Sequence, residues 1–348
     1  MKKNKLLEQL DIQIPLIVAP MAGGLSTPEL VACAAQAGAI GFLACSYDSP
    51  ENMDAQIKKV KQLTHKHFAV NLFTQHPALN LTEQQIEKAI VATNQYREEL
   101  KIPSLTKLNP PYAPDFEKQF EIVLANIPKA FSFTFGLIKK EHIKECNKKR
   151  IVTIGTATQL KEALSLQELG VDALVAQGVE AGGHRGFFDP NENDPNISTD
   201  NLVSQFIKKL NIPVIAAGGI MNQKHIQKIL SKGASAVQMG TAFLLSSEAG
   251  TSEPYRRALR EKKRETELTK VFSGRYARGL KNRFMTEMKD KVTDSILPFP
   301  AQNALTRDIR SKAAQMDQEE FLSLWAGSNA HMIKEHSALE IISKLNFK

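Results

Sequence analysis

The segment LVAQGVEAGGHRGFF (174–188) sets four glycines, one glutamate and the pair His184–Arg185 directly behind an apolar run. Each glycine costs backbone entropy on ordering, so this density points to a backbone that something approaches closely. His184 is one of eight histidines, and the other seven, His65, His225 and His331 among them, show no ligand spacing. On a glycine loop, two uses are open to it. A neutral imidazole can take a proton from a carbon acid, and an imidazolium can hold an anionic substrate. A histidine that only satisfies the fold is the plain alternative. For Arg185 the options are orienting the loop, attracting an anion, or making an outward salt bridge. No cysteine or serine lies between Gln177 and Phe188, which weighs against covalent nucleophilic catalysis there.

Glycines and amides also close other apolar runs. One ends in Pro20-Met21-Ala22-Gly23-Gly24, another in Asn71, a third in Gln177, and two more in Gly218-Gly219 and Gln238-Met239-Gly240-Thr241. Each signal alone can be a tight turn or a cap; their conjunction at one end of successive runs is what carries information. AAGGI and QMGTA offer backbone N–H groups for a phosphate, with the Thr241 hydroxyl as an added donor. Gly23, Gly24, Gly182 and Gly183 would let backbone approach a flat ring, and Asn71 and Gln177 carry paired donors and acceptors suited to the edge of an isoalloxazine. A phosphate site without G-x-G-x-x-G after a strand describes FMN better than NAD.

Positioning these residues requires a frame. Eight short apolar runs, 16–20, 40–45, 68–73, 130–136, 150–155, 172–177, 213–218 and 235–240, alternate with helical patterns such as TPELVACAAQAG and NQKHIQKILSKG. The runs are continuous rather than alternating, as strands buried on both faces should be. The expected fold is therefore α/β, a (β/α)8 TIM barrel with its site at the carboxyl ends of the strands. A doubly wound open sheet is the competitor. The expected organisation is a barrel over 1–248 with a helical insertion at about 78–114, a small, mainly helical lobe over the barrel mouth at 249–330, and a closing helix within 331–348.

Composition narrows the class. Hydrophobic residues make up 42% and charged residues 24%, enough for a sizeable core. Three cysteines, Cys33, Cys45 and Cys146, without C-x-x-C spacing fit neither a disulfide framework nor a thiolate metal site, and suit a cytoplasmic protein. No metal site is expected. The start shows no cleavable leader pattern, and no stretch approaches the roughly 20 apolar residues of a membrane span. Much of the formal charge of +8 lies in YRRALREKKRETELTK (255–270) and RYARGLKNRF (275–284). Interleaved glutamates and aliphatics make this a solvated helix face rather than a nucleic-acid surface. Steering of a small anion is a third use.

The motifs APMAGGLSTPELVACAAQAGAIGFLA, VNLF, FTFG, GTATQLKEAL, AQGVEAGGHRG, IPVIAAGGIM and VQMGTAFL, with PFPAQNALT (298–306) and LWAGSNA (324–330), resemble the nitronate monooxygenases, formerly called 2-nitropropane dioxygenases. The resemblance implies an FMN-dependent enzyme that uses O2 to oxidise small anionic alkyl nitronates, propionate 3-nitronate above all, as detoxification. It implies FMN contacts at Asn71, Gln177, Gly182, Gly218, Gly219, Gln238, Met239, Gly240 and Thr241. Met21, Ala22 and Gly23 would lie near the ring, and His184 matches the active-site histidine. Phe299 stands where related sequences often have tyrosine. A flavin-dependent enoyl-acyl-carrier-protein reductase and an NADH:quinone reductase are the alternatives, and a homodimer stays open as the assembly.

Overall fold

In the computed structural model, which describes residues 4–75, 78–290 and 295–347, eight strands close a parallel barrel in chain order. They are β1 (Leu16–Val18), β2 (Ile40–Ala44), β3 (Ala69–Phe73), β4 (Ala130–Thr134), β5 (Val152–Ala157), β6 (Ala173–Gln177), β8 (Val214–Ala217) and β9 (Ala236–Met239). Closure comes from β1 against β9, with Leu16 opposite Val237 and Val18 opposite Met239. This is the expected (β/α)8 barrel, and all eight apolar runs are its strands. The fifth begins two residues later than the apolar pattern suggests. Arg150 turns into the left-handed region at φ 56° as the preceding helix ends, so extended backbone starts only beyond it.

The barrel interior is packed rather than hollow. Ile17, Phe42, Ile154, Val175 and Ile215 fill it together with small Ala69, Ala130, Ala173 and Ala236. Leu6 and Leu10 of helix Lys5–Leu10 complete the same cluster, so this helix plugs one end. Outward-facing strand residues such as Leu43, Val70, Phe131 and Leu174 pack against the surrounding helices. Local signals set those helices: Thr27 and Ser49 accept from Leu30 N and Asn52 N, each just before a proline in the first turn. Gly170, at φ 90°, ends helix Leu160–Leu169. Near the C-terminus, helix Ala338–Ser343 buries Ile341 and Ile342 in the barrel's outer core.

A second core lies beside the first. It joins Leu244, Tyr255, Phe272, Phe284, Ile309, Phe321 and Leu324 with Tyr96 of helix Glu83–Glu99 and Leu100, which caps that helix. The insertion helix thus packs with the C-terminal segment. Beyond its helices, that segment contains a β-hairpin of β10 (Thr266–Thr269) and β11 (Ala277–Leu280). Its second strand, β11, pairs antiparallel with β7 (Gly183–His184), a two-residue strand in the glycine loop. Short strands sequestered in a basic run leave no alternation to read. Arg257, Arg260 and Arg264 of that run pair with Asp317, Glu319, Glu335, Glu253 and Glu320, so the helical face is stitched to acidic neighbours. Among the described residues, no helix is long and apolar enough to cross a membrane.

Arg97 fastens the insertion helix to helix Arg307–Gln315. It is fully buried, and donates from Nε and Nη2 to the Asp308 carboxylate at 2.8 and 3.1 Å and from Nη2 to the Leu305 carbonyl at 2.5 Å. Arg97→Met removes the charge and orphans these acceptors. It should lower unfolding free energy by about 3 kcal/mol, measured by urea denaturation.

Candidate active site

The carboxyl ends of the barrel strands and the second core enclose one large cavity. Met21 and Ala22 after β1, Asn71 on β3, Gln177 on β6, Gly182 and His184 in the following loop, Gly218 and Gly219 after β8, and Gln238 to Thr241 all line it. Gly23 does not. It lies exposed beyond the rim in the turn that Ser26 closes by bonding Met21 through both its backbone N and its Oγ. Residues that sequence alone did not single out complete the wall: Tyr47, Ser132, Thr134, Thr156, Trp325, Gly327 and Asn329.

One end of the cavity is rich in unfilled donors. Gly219 and Ile220 follow β8, Gly240 and Thr241 follow β9, and their N–H groups make no hydrogen bond to the described residues. Gly219 adopts φ 68°, which turns the chain so that consecutive amides can converge. The C-terminal segment braces both loops: Asn329 Nδ2 donates to the Gly219 carbonyl at 2.7 Å, and Gly327 N donates to Thr241 Oγ1 at 3.0 Å. Because Thr241 accepts that bond, its hydroxyl proton remains to donate elsewhere. Such a donor cluster fits a phosphate-sized anion.

The middle of the cavity carries carboxamides with different duties. Asn71 donates to Ser132 Oγ at 2.8 Å, which fixes its amide and turns Oδ1 into the acceptor. Gln238 makes no side-chain bond to a described residue. Gln177 is largely spent within the protein: its Nε2 donates to the His184 carbonyl at 3.0 Å, and its Oε1 accepts from Arg185 Nη1 and Gly186 N, each at 2.8 Å. Gln177 therefore holds the loop in shape and keeps one amide hydrogen for a ligand.

Arg185 resolves in favour of orienting that loop. Its side chain is 0% exposed, paired through Nε with Asp194 at 2.5 Å, and its Nη1 also reaches the Gln177 and Gly178 carbonyls. At the loop's far end, Phe188 N donates to buried Glu162 at 2.9 Å. The glycine spacing has a reason the sequence did not disclose. A Cβ on Gly182 would lie 2.5 Å from Gly327 N, and one on Gly186 would lie 2.8 Å from Thr156 Cγ2. At these two positions the close approach is by the protein's own chain rather than by a flat ring.

His184 ends up in a pocket of rings. Phe73, Phe135, Phe299 and Trp325 have ring centres 5.6–6.0 Å from its own. Its Nε2 lies 2.8 Å from Ser273 Oγ, and Ser273 Oγ donates to the Arg275 carbonyl at 3.2 Å. The Ser273 hydroxyl thus ties the imidazole to the 273–275 backbone and fixes the ring's position in the cavity wall. Arg275 lies buried against the Phe135 face, 4.1 Å from the ring centre, and burial pulls its guanidinium down to about 10. None of the thiols resembles a nucleophile: burial raises Cys33 to about 11 and Cys146 to about 12, and Cys45 further still.

The sequence profile of the nitronate monooxygenase family matches residues 3–347. The chain belongs to that family. As a nitronate monooxygenase family member it is an oxidoreductase. It is 38% identical over 350 residues to a protein of Staphylococcus aureus (strain MSSA476) named "Probable nitronate monooxygenase", covering 99% of this chain and 96% of that one. Among solved structures, nitroalkane oxidase from Streptomyces ansochromogenes superposes with a TM-score of 0.90 at 33% identity, covering 98% of this chain and 96% of the other. FabK from Thermotoga maritima, at 24% identity and a TM-score of 0.75 over 99% and 95% of the two chains, shares the fold.

In this family member, Gly182→Ala should force the loop away from the 326–327 backbone. The expected loss is about 2 kcal/mol of stability, with faster amide hydrogen exchange at Gly327. Unchanged exchange there would show that the loop does not depend on that contact.

Proposed function

We propose that the protein is an FMN-dependent nitronate monooxygenase of the cytoplasm that removes small alkyl nitronates, with propionate 3-nitronate as its substrate. The observation that carries this reading is the cavity's division into an end with unfilled backbone donors and an aromatic end with His184. The phosphate would sit on the amides of Gly219, Ile220, Gly240 and Thr241 with the Thr241 hydroxyl. The ring edge would meet Asn71, Gln238 and the remaining Gln177 hydrogen, beside Met21 and Ala22. Bound there, FMN would take up the electrons a nitronate releases and pass them to O2, giving an aldehyde or keto acid with nitrite or nitrate.

The chain's own contribution is to hold the anion and exclude water. A nitronate is already a carbanion equivalent, so no strong base is needed to begin. His184, held beside Ser273, can donate to the nitronate when protonated or, when neutral, accept a proton from the parent nitroalkane. The surrounding phenylalanine and tryptophan rings lower the local dielectric and strengthen that contact. Arg275, behind Phe135, adds positive potential without touching the reacting atoms.

The test is the visible spectrum of purified protein under anaerobic conditions. Yellow protein should bleach on adding propionate 3-nitronate without any nicotinamide; a flavin that stays oxidised would sink this function and favour a reductase. His184→Asn should keep its flavin and lose about 100-fold or more in kcat/KM. Ser273→Ala should also keep flavin, lower kcat about tenfold, and shift the pH profile, because the imidazole loses the hydroxyl it bonds. Full turnover by His184→Asn would remove the histidine from the mechanism.

A further inference from the structure

On the side of the cavity near β2, a lining side chain carries a polar group with no partner among the described residues. Tyr47 follows β2 and lines the cavity, and its buried hydroxyl makes no hydrogen bond to the described residues. Burial pushes that hydroxyl up to about 12, so at neutral pH it is a donor in search of an acceptor. A hydrogen-bonding group left buried and unpaired is disfavoured, and in a cavity wall it is best accounted for by a ligand atom.

The charges around it specify that ligand's sign. The groups that act electrostatically on Tyr47 are two cations, Arg310 and Arg307. Arg310 donates from Nε to the Thr306 carbonyl at 3.3 Å and from Nη2 to Asn303 O and Oδ1 at 2.8 and 2.9 Å. Among the described residues its Nη1 has no partner and no carboxylate forms a salt bridge with it. The neighbouring acid Asp308 is engaged by Arg97. Burial pulls the Arg310 guanidinium down to about 10, still charged at neutral pH. Arg310 lies behind the cavity wall rather than in it, so it acts through its field, and a protonated phenol in the field of a guanidinium without a salt bridge favours an anionic acceptor.

Its location says which end of the substrate arrives there. Phe73 touches both partners, with its ring centre 5.6 Å from that of Tyr47 and 6.0 Å from that of His184. Tyr47 and His184 therefore both pack against the same phenylalanine ring in the wall of one cavity, close enough for a short substrate to meet both.

Building on the proposed oxidation of nitronates, we propose that Tyr47, in the field of Arg310, forms a second anion subsite that receives a carboxylate at the far end of the substrate, while His184 receives the nitronate. Tyr47 is then a specificity-determining residue. It selects nitronates that carry a terminal acid over plain alkyl nitronates. The guanidinium supplies potential, and the phenol supplies the directed hydrogen bond.

The test compares the flavin-loaded wild type with Tyr47→Phe, which keeps the ring against Phe73, and with Arg310→Gln. Two readouts are used. The first is kcat/KM for propionate 3-nitronate against propyl 1-nitronate. The second is saturation binding of 3-nitropropionate against 1-nitropropane, followed by emission from Trp325, the chain's single tryptophan, which lines the cavity. For both variants the expected result is weakening of the carboxylated compound by about tenfold or more, with the uncharged-tail compound unchanged. Equal loss for both compounds, no loss for either, or reduced flavin content in Tyr47→Phe would overturn the subsite. Selective loss of 3-nitropropionate binding in a protein that oxidises no nitronate would uphold the subsite and reject the proposed oxidation instead.

Discussion

The geometry of the site depends on one buried guanidinium. Arg185 is withdrawn from solvent, and a charge so placed must find compensation on every side. Asp194 meets it from further along the same loop, and Gln177 and Gly178 meet it from the end of β6. Those bonds draw the chain back across the barrel mouth immediately after His184. Gln177, bound to Arg185 through Oε1 and to the His184 carbonyl through Nε2, transmits this constraint to the histidine's own backbone.

With the loop held there, its edge becomes a surface on which other chain can add. Gly183 and His184 pair with Arg278 and Ala277, so the hairpin of the C-terminal segment completes a three-stranded sheet at the cavity wall. The hairpin carries Ser273 to the imidazole and Arg275 to the Phe135 face. Beside it, the 325–329 stretch closes on Gly182 and braces the loops after β8 and β9. The second core is thus more than cover. It supplies the histidine's partner, part of the aromatic wall, and the supports of the donor-rich end.

Much of the frame was legible along the chain. Continuous apolar runs mark strands buried on both faces, and Thr-Pro, Ser-Pro and Gly at helix ends act through local backbone chemistry that needs no tertiary partner. Asn71, Gln177, Gly219 and Thr241 could be picked out because the barrel topology brings all strand ends to one rim. Gly23 was picked out by the same reasoning and lies outside the cavity, because a turn of six residues carries it past the rim. Ser273, Trp325 and Asn329 could not be found this way. Each is an ordinary residue in its own stretch, and each matters only for what it meets across large separations in sequence.

The sequence by itself determined the closed barrel, the rim at which the cavity lies, the family, and one histidine that lines that cavity. Those features follow from periodicity, end signals and residue types that act over a few positions. Tertiary structure alone decided what the glycines make room for, which way Arg185 points, and that Gln177 serves the loop as well as the cavity. It also decided that a hairpin hidden in a basic run supplies the histidine's hydrogen-bond partner. The physical reason is that hydrogen bonds and close packing are pairwise, so a residue's duty is set by a partner whose distance along the chain leaves no local trace.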